Sequence, residues 1–175
     1  LHLCHHNLES IDTTSTTKHD LLLEVCYAAK YEGDLIKTHY TEHQVTNPDT
    51  KSQICTELAR SFADIGDIIR GKDLFRGYDE KDRKEKEQLD NNLKEIFQKI
   101  QENNKSKLGQ LKLDQVREYW WALNRNDVWK AITCGAGESD KYFRDTCSKG
   151  GTYNKCHCND GDVLTNFDYV PQFLR

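Results

Sequence analysis

The chain has 175 residues, with 25 Lys and Arg against 29 Asp and Glu, a formal net charge of −4, and 36% hydrophobic against 31% charged residues. That length suits one domain with one sizeable core, and the acidic balance argues against a nucleic-acid partner. Two Pro and ten Gly are too few for the turns of a many-stranded sandwich, so the apolar residues must gather on faces of amphipathic helices. No Met occurs, position 1 included, so the chain reads as an excised or processed piece. No apolar run approaches the roughly 18–20 residues of a membrane span, and residues 1–7 carry His and Cys rather than a signal core.

From 18 to 43, Leu22, Cys26, Ala29, Ile36 and Tyr40 recur at helical spacing with Gly33 on the same face, which predicts a first long helix. Asn47 before Pro48 reads as an N-cap and restart, because Pro lacks an N–H and suits the first helical position. The next stripe runs Ile54, Leu58, Phe62 or Ser61, Ile65 and Ile69. Gly66 interrupts it at a cost of about 1 kcal/mol relative to Ala, so something must approach closely there. A charged segment occupies 70–86. Leu89, Leu93, Ile96, Phe97 and Ile100 then restore helical spacing up to Asn103 and Asn104, predicting a third helix. Gly109 breaks the pattern before Val116, Trp120, Leu123, Trp129 and Ile132 mark a fourth amphipathic segment, whose polar middle at 124–127 is either a surface face or a local break. The adjacent Trp120 and Trp121 point about 100° apart on a helix and can serve two packing surfaces. Beyond Cys134 the periodicity vanishes and cysteines are the evident source of order. The expected fold is therefore all-α, a bundle of long amphipathic helices with an irregular, disulfide-stapled C-terminal loop region.

Seven Cys is a high count for a reducing compartment. Cys26, Cys55, Cys134, Cys147, Cys156 and Cys158 are the disulfide candidates, and Cys4 is the one expected to have lost its partner with missing N-terminal sequence. A zinc site at Cys134, Cys147, Cys156, His157 and Cys158 matches no pattern of paired Cys-x-x-Cys knuckles. His39 and His43 lie one helical turn apart without an evident third ligand, and Cys4 beside His5 and His6 lacks an orienting group for a nucleophile. No phosphate-binding loop, His-Glu-x-x-His helix or Gly-x-Ser-x-Gly elbow occurs. No enzyme activity, metal or cofactor is expected. Arg70, Lys72, Arg76, Lys81, Arg83, Lys84 and Lys86 form the densest basic run and could meet a sulfated polysaccharide or an acidic receptor, although Asp73, Asp79, Glu80, Asp82 and Glu85 interleave with them. Asn104-Lys105-Ser106 is a formal N-glycosylation sequon on a polar connection.

Several stretches converge on one family: ARSFADIGDIIRGKDLF at 59–75, YWWALNRNDVWKAITC at 119–134 and DYVPQFLR at 168–175, with HLCHHNLE and LLLEVCYAAKYEG upstream. Together they closely resemble the Duffy-binding-like domain, alpha class, of the variant erythrocyte membrane antigens of Plasmodium falciparum. The resemblance spans nearly the whole chain and implies the end of a first subdomain at 1–17, a helical second subdomain at 18–166 and the start of a third at 167–175. It implies an extracellular, disulfide-cross-linked adhesion module on the infected erythrocyte, tethered to the membrane only through other parts of a larger protein. The implied partners are receptors of host erythrocytes or endothelium, among them heparan-sulfate-like glycans, blood-group sugars or complement receptor, together with host antibodies. The residues that match the family pattern are scaffold: Asp64, Gly66, Asp67, Arg70, Gly71, Trp120, Trp121, Asn124 and Trp129. The segments 76–112 and 135–166 follow no such pattern, so no receptor-contact residue carries over, and a fragment serving only as structural and antigenic scaffold is the alternative.

Overall fold

A computed structural model describes residues 18–46, 54–138, 140, 142, 147, 154–158 and 161–175. The expected Asn47–Pro48 restart, the Cys4, His5 and His6 cluster and the His43 side chain lie outside the described residues. Among those described, helices α1 (Lys18–Thr46), α2 (Ile54–Arg70), α3 (Glu80–Asn103), the short α4 (Lys105–Leu108) and α5 (Leu113–Ile132) form an all-helical bundle, followed by two 3-10 turns, Phe167–Tyr169 and Gln172–Leu174. No strand occurs among the described residues; two isolated bridges, Asn154 with His157 and His157 with Val163, are the nearest approach.

The seam of α1 is rotated by one residue from the periodicity expected. Leu21, Val25, Ala28, Ala29 and Glu32 are buried, whereas Leu22, Cys26, Ile36 and Tyr40 are only partly so. The three-leucine run 21–23 makes the phase ambiguous in sequence, and the buried Glu32, which accepts a hydrogen bond from the Ser61 hydroxyl at 3.1 Å, belongs to no apolar pattern. Gly33 is where α1 meets α5: a Cβ there would stand 2.0 Å from the Ile132 carbonyl oxygen. That close crossing offsets the helical cost of the glycine.

Helix α2 is buried along most of its length, packed against α1, α5 and the 3-10 turn Phe167–Tyr169. Both Ser61 and Phe62 are buried, so the two alternatives for its stripe hold together. Phe62 packs 5.2 Å from the Trp121 ring and edge-on 5.1 Å from Trp129, an arrangement worth about 0.5–1.5 kcal/mol per pair beyond burial. The helix stops at Gly71, whose φ of +73° suits glycine alone and turns Lys72 N–H back to the Asp67 carbonyl at 2.7 Å.

Helix α3 begins at Glu80, well before its first apolar residue at Leu89, so much of the expected charged segment is helical. The reason is local: Asp79 accepts the Asp82 N–H at 2.9 Å as an N-cap, and the acidic Glu80 and Asp82 suit the positive end of the helix dipole. Helix α5 runs without interruption through 124–127, so that polar stretch is not a break; only Asp127 in it is exposed, and Leu123 is 82% exposed rather than part of the stripe. Trp120 meets Phe97 of α3 edge-on at 5.9 Å while Trp121 faces α2, so the two indoles do serve two surfaces.

Disulfides join Cys55 to Cys156 and Cys147 to Cys158. Cys26 and Cys134, also disulfide candidates with no partner assigned, carry free thiols. Gly33 marks the level of Ile132, and Cys26 lies seven residues earlier on α1, about 10 Å along its axis, whereas Cys134 lies beyond Ile132. That separation is too great for the roughly 4.4–6.8 Å between Cα atoms that a disulfide allows. Burial, seconded by Asp127, pushes the Cys26 thiol up to about 11. Cys134 is exposed.

Candidate functional site

Of the residues expected to be scaffold, Gly66, Asp67, Arg70, Gly71 and Trp121 come together at the end of α2, while Trp129 lies nearer its start and Trp120 packs on α3. Gly66 lies under the Trp121 indole, where a Cβ would stand 2.8 Å from its Cζ2, so the close approach inferred from the interrupted stripe is an aromatic ring. Arg70 is buried and donates to its own helix at the Gly66 carbonyl (3.0 Å), to Asp67 (3.0 Å) and to the Asp168 carbonyl. Asn124 donates to the Trp120 carbonyl at 2.7 Å, and the Trp129 indole donates to the Cys156 carbonyl at 3.0 Å.

Four charged residues of this cluster were not picked out from the sequence. Asp168 is buried and accepts the Trp121 indole N–H at 2.8 Å and two bonds from Arg125, at 2.8 and 2.7 Å. Arg125 also reaches the Thr165 carbonyl at 2.9 Å. Arg175 pairs with Asp67 and lies 3.7 Å from Asp64. Burial raises the Asp64 pKa, and Arg175 pulls it back only in part. Arg117, on α5, donates to the Ile69 and Ile68 carbonyls at 2.6 and 2.9 Å and so caps α2 from outside, over Gly71. Its third bond goes to Asp90 on α3 at 3.3 Å. Burial works to raise the Asp90 pKa, but bonds from Lys94 and Arg117 outweigh it and hold the carboxyl below its usual range. These groups fasten 165–175 onto α2 and α5, and α5 onto both α2 and α3.

The seven basic candidates separate by role. Arg70 is part of the buried cluster, and Lys72 pairs with Glu118, which also lies 3.6 Å from Arg70. Lys86 bonds Asp73 at 2.7 Å and the Phe75 carbonyl at 3.1 Å, with its ammonium 4.4 Å from the Phe75 ring centre. Lys72 and Lys86 hold the connection 71–79 in place. Lys81 and Lys84 pair with Glu85 and Glu80 along the exposed face of α3, at 3.5 and 3.0 Å. Such pairs are worth about 0.3–0.5 kcal/mol and exchange readily with a ligand. Arg76 and Arg83 have no carboxylate in ion-pair reach among the described residues; Arg83 touches the Asp79 carbonyl at 3.3 Å. Arg76, Lys81 and Arg83 line an open groove of about 1290 Å³ between the connection, α3 and the start of α5.

The remaining motifs are structural. His39 is exposed and lies 3.8 Å from Glu42. His157 sits between the two disulfide-bonded cysteines, 2.7 Å from Thr133 Oγ1, with burial and then Lys130 lowering its pKa. No group of three or more His, Cys, Asp or Glu among the described residues is placed to hold a metal ion. No helix of the described residues is long and apolar enough to cross a membrane. The Asn104 amide donates to the Ile100 carbonyl at 2.8 Å, so its nitrogen is engaged in the turn between α3 and α4.

A helical bundle tied by disulfides and buried ion pairs, with Arg76 and Arg83 beside an open groove, is a rigid scaffold with one candidate contact surface. The chain belongs to the Duffy binding domain family, which matches residues 1–175. Among solved structures it is similar to the N-terminal NTS-DBL1-alpha and CIDR-gamma double domain of the PfEMP1 protein from the Plasmodium falciparum varO strain, with 41% identity and a TM-score of 0.76 over 99% of this chain and 25% of that one. It is also similar to the ICAM-1-binding PfEMP1 IT4var13 DBLbeta domain, at 31% identity and a TM-score of 0.71 over 99% of this chain and 39% of that one. A third structure, the IT4var13 DBLbeta domain bound to ICAM-1, gives 34% identity and a TM-score of 0.70 over 99% of this chain and 40% of that one. The chain thus spans between a quarter and two fifths of these relatives. Comparison with curated proteins finds no match. The family is one of adhesion modules, and the higher identity to the alpha-class domain agrees with the resemblance read from the motifs.

Proposed function

We propose that this chain is the helical centre of an extracellular adhesion module of a parasite surface antigen, displayed on the infected erythrocyte, and that it meets a host receptor through the 71–79 connection and the first turns of α3. The observation that carries this reading is the division of the basic run. Arg70, Lys72 and Lys86 are committed to the scaffold, whereas Arg76 and Arg83 point their charge at no carboxylate among the described residues. A related domain bound to ICAM-1 supports a host surface receptor as the class of partner. A sulfated glycan or an acidic protein surface would each answer free guanidinium groups with charge-assisted bonds. Subdomain boundaries near 17 and 166 belong to the same reading.

Charge reversal tests it. The oxidised chain carrying Arg76→Glu and Arg83→Glu should bind erythrocytes at least about ten-fold more weakly than the unchanged chain, since each charged hydrogen bond is worth about 1.5–3 kcal/mol. Unchanged binding would rule this surface out. A second reading, a scaffold fragment whose adhesive surface lies in flanking sequence, is favoured by the burial of the residues that match the family pattern. It holds if the intact domain binds red cells and the oxidised fragment fails to compete.

A further inference from the structure

We infer that the groove beside Arg76 and Arg83 is built for an amphipathic polypeptide segment of mixed charge rather than for a polyanionic glycan; this rests on the receptor reading above and specifies its ligand. The connection presents three consecutive-region apolar side chains to solvent: Leu74 is 60% exposed, Phe75 40% and Tyr78 69%. Phe75 and Tyr78 stack edge to face at 4.8 Å. Monomeric surfaces expose single apolar residues routinely, but a cluster rimmed by charge marks a contact site.

The cluster is held rigid. Asp73 accepts from Lys86, from the Phe75 N–H at 3.0 Å and from Gln172 at 3.0 Å, while the Leu74 N–H donates to Gln172 at 2.7 Å. Gly77, at a φ of +101°, lets the backbone press against α3, where a Cβ would lie 2.9 Å from the Arg83 nitrogen. Tyr78 N–H then bonds Asp82 at 3.3 Å. A connection fixed at this many points presents its aromatic rings with little ordering entropy left to lose, the condition under which aromatic and arginine side chains dominate an interface.

The charge lining decides between ligand classes. Arg76, Lys81 and Arg83 line the groove alongside Glu87, one turn of α3 beyond Arg83, and Asp114 at the start of α5, so its charge is mixed rather than basic. Ile68, Leu89 and Leu113 lie between as apolar lining. A sulfated chain would satisfy the arginines and be repelled by the two carboxylates. A polypeptide that places an acidic residue against the arginines, apolar side chains on Phe75 and Tyr78, and a basic residue near Glu87 and Asp114 complements the whole groove.

The test uses the oxidised 175-residue chain, multimerised on a fluorescent carrier, and erythrocytes left untreated, stripped with trypsin, or stripped with heparinase. Binding is expected to vanish after trypsin, to persist after heparinase, and to fall at least about ten-fold in Leu74→Ser/Tyr78→Ser, a variant shown by circular dichroism to keep its helices. Binding lost to heparinase, or binding undiminished in that variant, overturns the inference while leaving the receptor reading in place. No binding by the unchanged chain overturns both.

Discussion

At the scale of single residues, the glycines show how a close contact sets a cost. A methyl group added at Gly33 meets a backbone carbonyl at 2.0 Å, whereas one added at Gly66 meets the edge of an indole at 2.8 Å. The Ile132 carbonyl, at the last residue of α5, moves only with the backbone that carries it, while a ring can tilt slightly. Gly33→Ala is therefore expected to cost more than Gly66→Ala, for which about 1–3 kcal/mol is the usual range of overpacking. Urea denaturation followed by circular dichroism ranks the two. His157 makes a second prediction. Its folded-state pKa is lowered by burial and Lys130, so its favourable contribution is fully present above the unfolded value of about 6.5 and is lost as pH falls through that value toward the folded one. His157→Gln should flatten the decline in melting temperature between pH 7.5 and 5.5. A decline of equal steepness in the variant would place the sensitivity in other groups. The sequence made Gly66 and the tryptophans legible because an interrupted stripe and large aromatics have few alternatives in a helix. Arg117, Arg125, Asp168 and Arg175 were illegible because a charged residue in a chain that is 31% charged reads as surface until a partner far away in sequence is known.

At the scale of elements, two devices attach the irregular C-terminal part to the helices. The Cys55–Cys156 bond closes 101 residues and Cys147–Cys158 only 11. By the loop-entropy argument the first constrains the unfolded chain by about 4.7 kcal/mol and the second by somewhat under 3 kcal/mol. Cys55→Ala/Cys156→Ala is expected to lower the denaturation midpoint further than Cys147→Ala/Cys158→Ala, and non-reducing peptide mapping should recover both linkages. The other device is Asp168, buried with two bonds from Arg125 and one from Trp121. Asp168→Asn leaves Arg125 without its counter-charge, a change of about 3–5 kcal/mol for a buried pair. Faster hydrogen exchange at 165–175 than in α2 is the signature expected of that variant. The existence of α1, α2, α3 and α5 was legible from periodicity, whereas the single turn of α4, in a stretch read as a polar connection, was not. The start of α3 was not, because Asp79 caps a first turn made wholly of charged residues, and neither was the phase of α1, where three successive leucines fit either face.

At the scale of the whole molecule, the buried family-matching residues build the scaffold, while the exposed connection straddles a boundary: Leu74 and Phe75 close the family-matching stretch 59–75, and Arg76 and Tyr78 open a segment that follows no family pattern. Rigidity and display are thus divided between two sets of residues: one set locks α2, α5 and 165–175 together, and the other faces solvent from a connection that the first holds still. The basic run was visible in the sequence, but which of its members are free was not, since that depends on Glu118, Asp73 and Gln172 arriving from other elements.

The most direct test of this account is photo-crosslinking on erythrocytes. The oxidised chain carries a benzophenone side chain either in place of Tyr78 or in place of Tyr27, an exposed position on α1. Capture of a red-cell surface component from position 78 and not from position 27 is the predicted result. Capture from position 27 alone would contradict it.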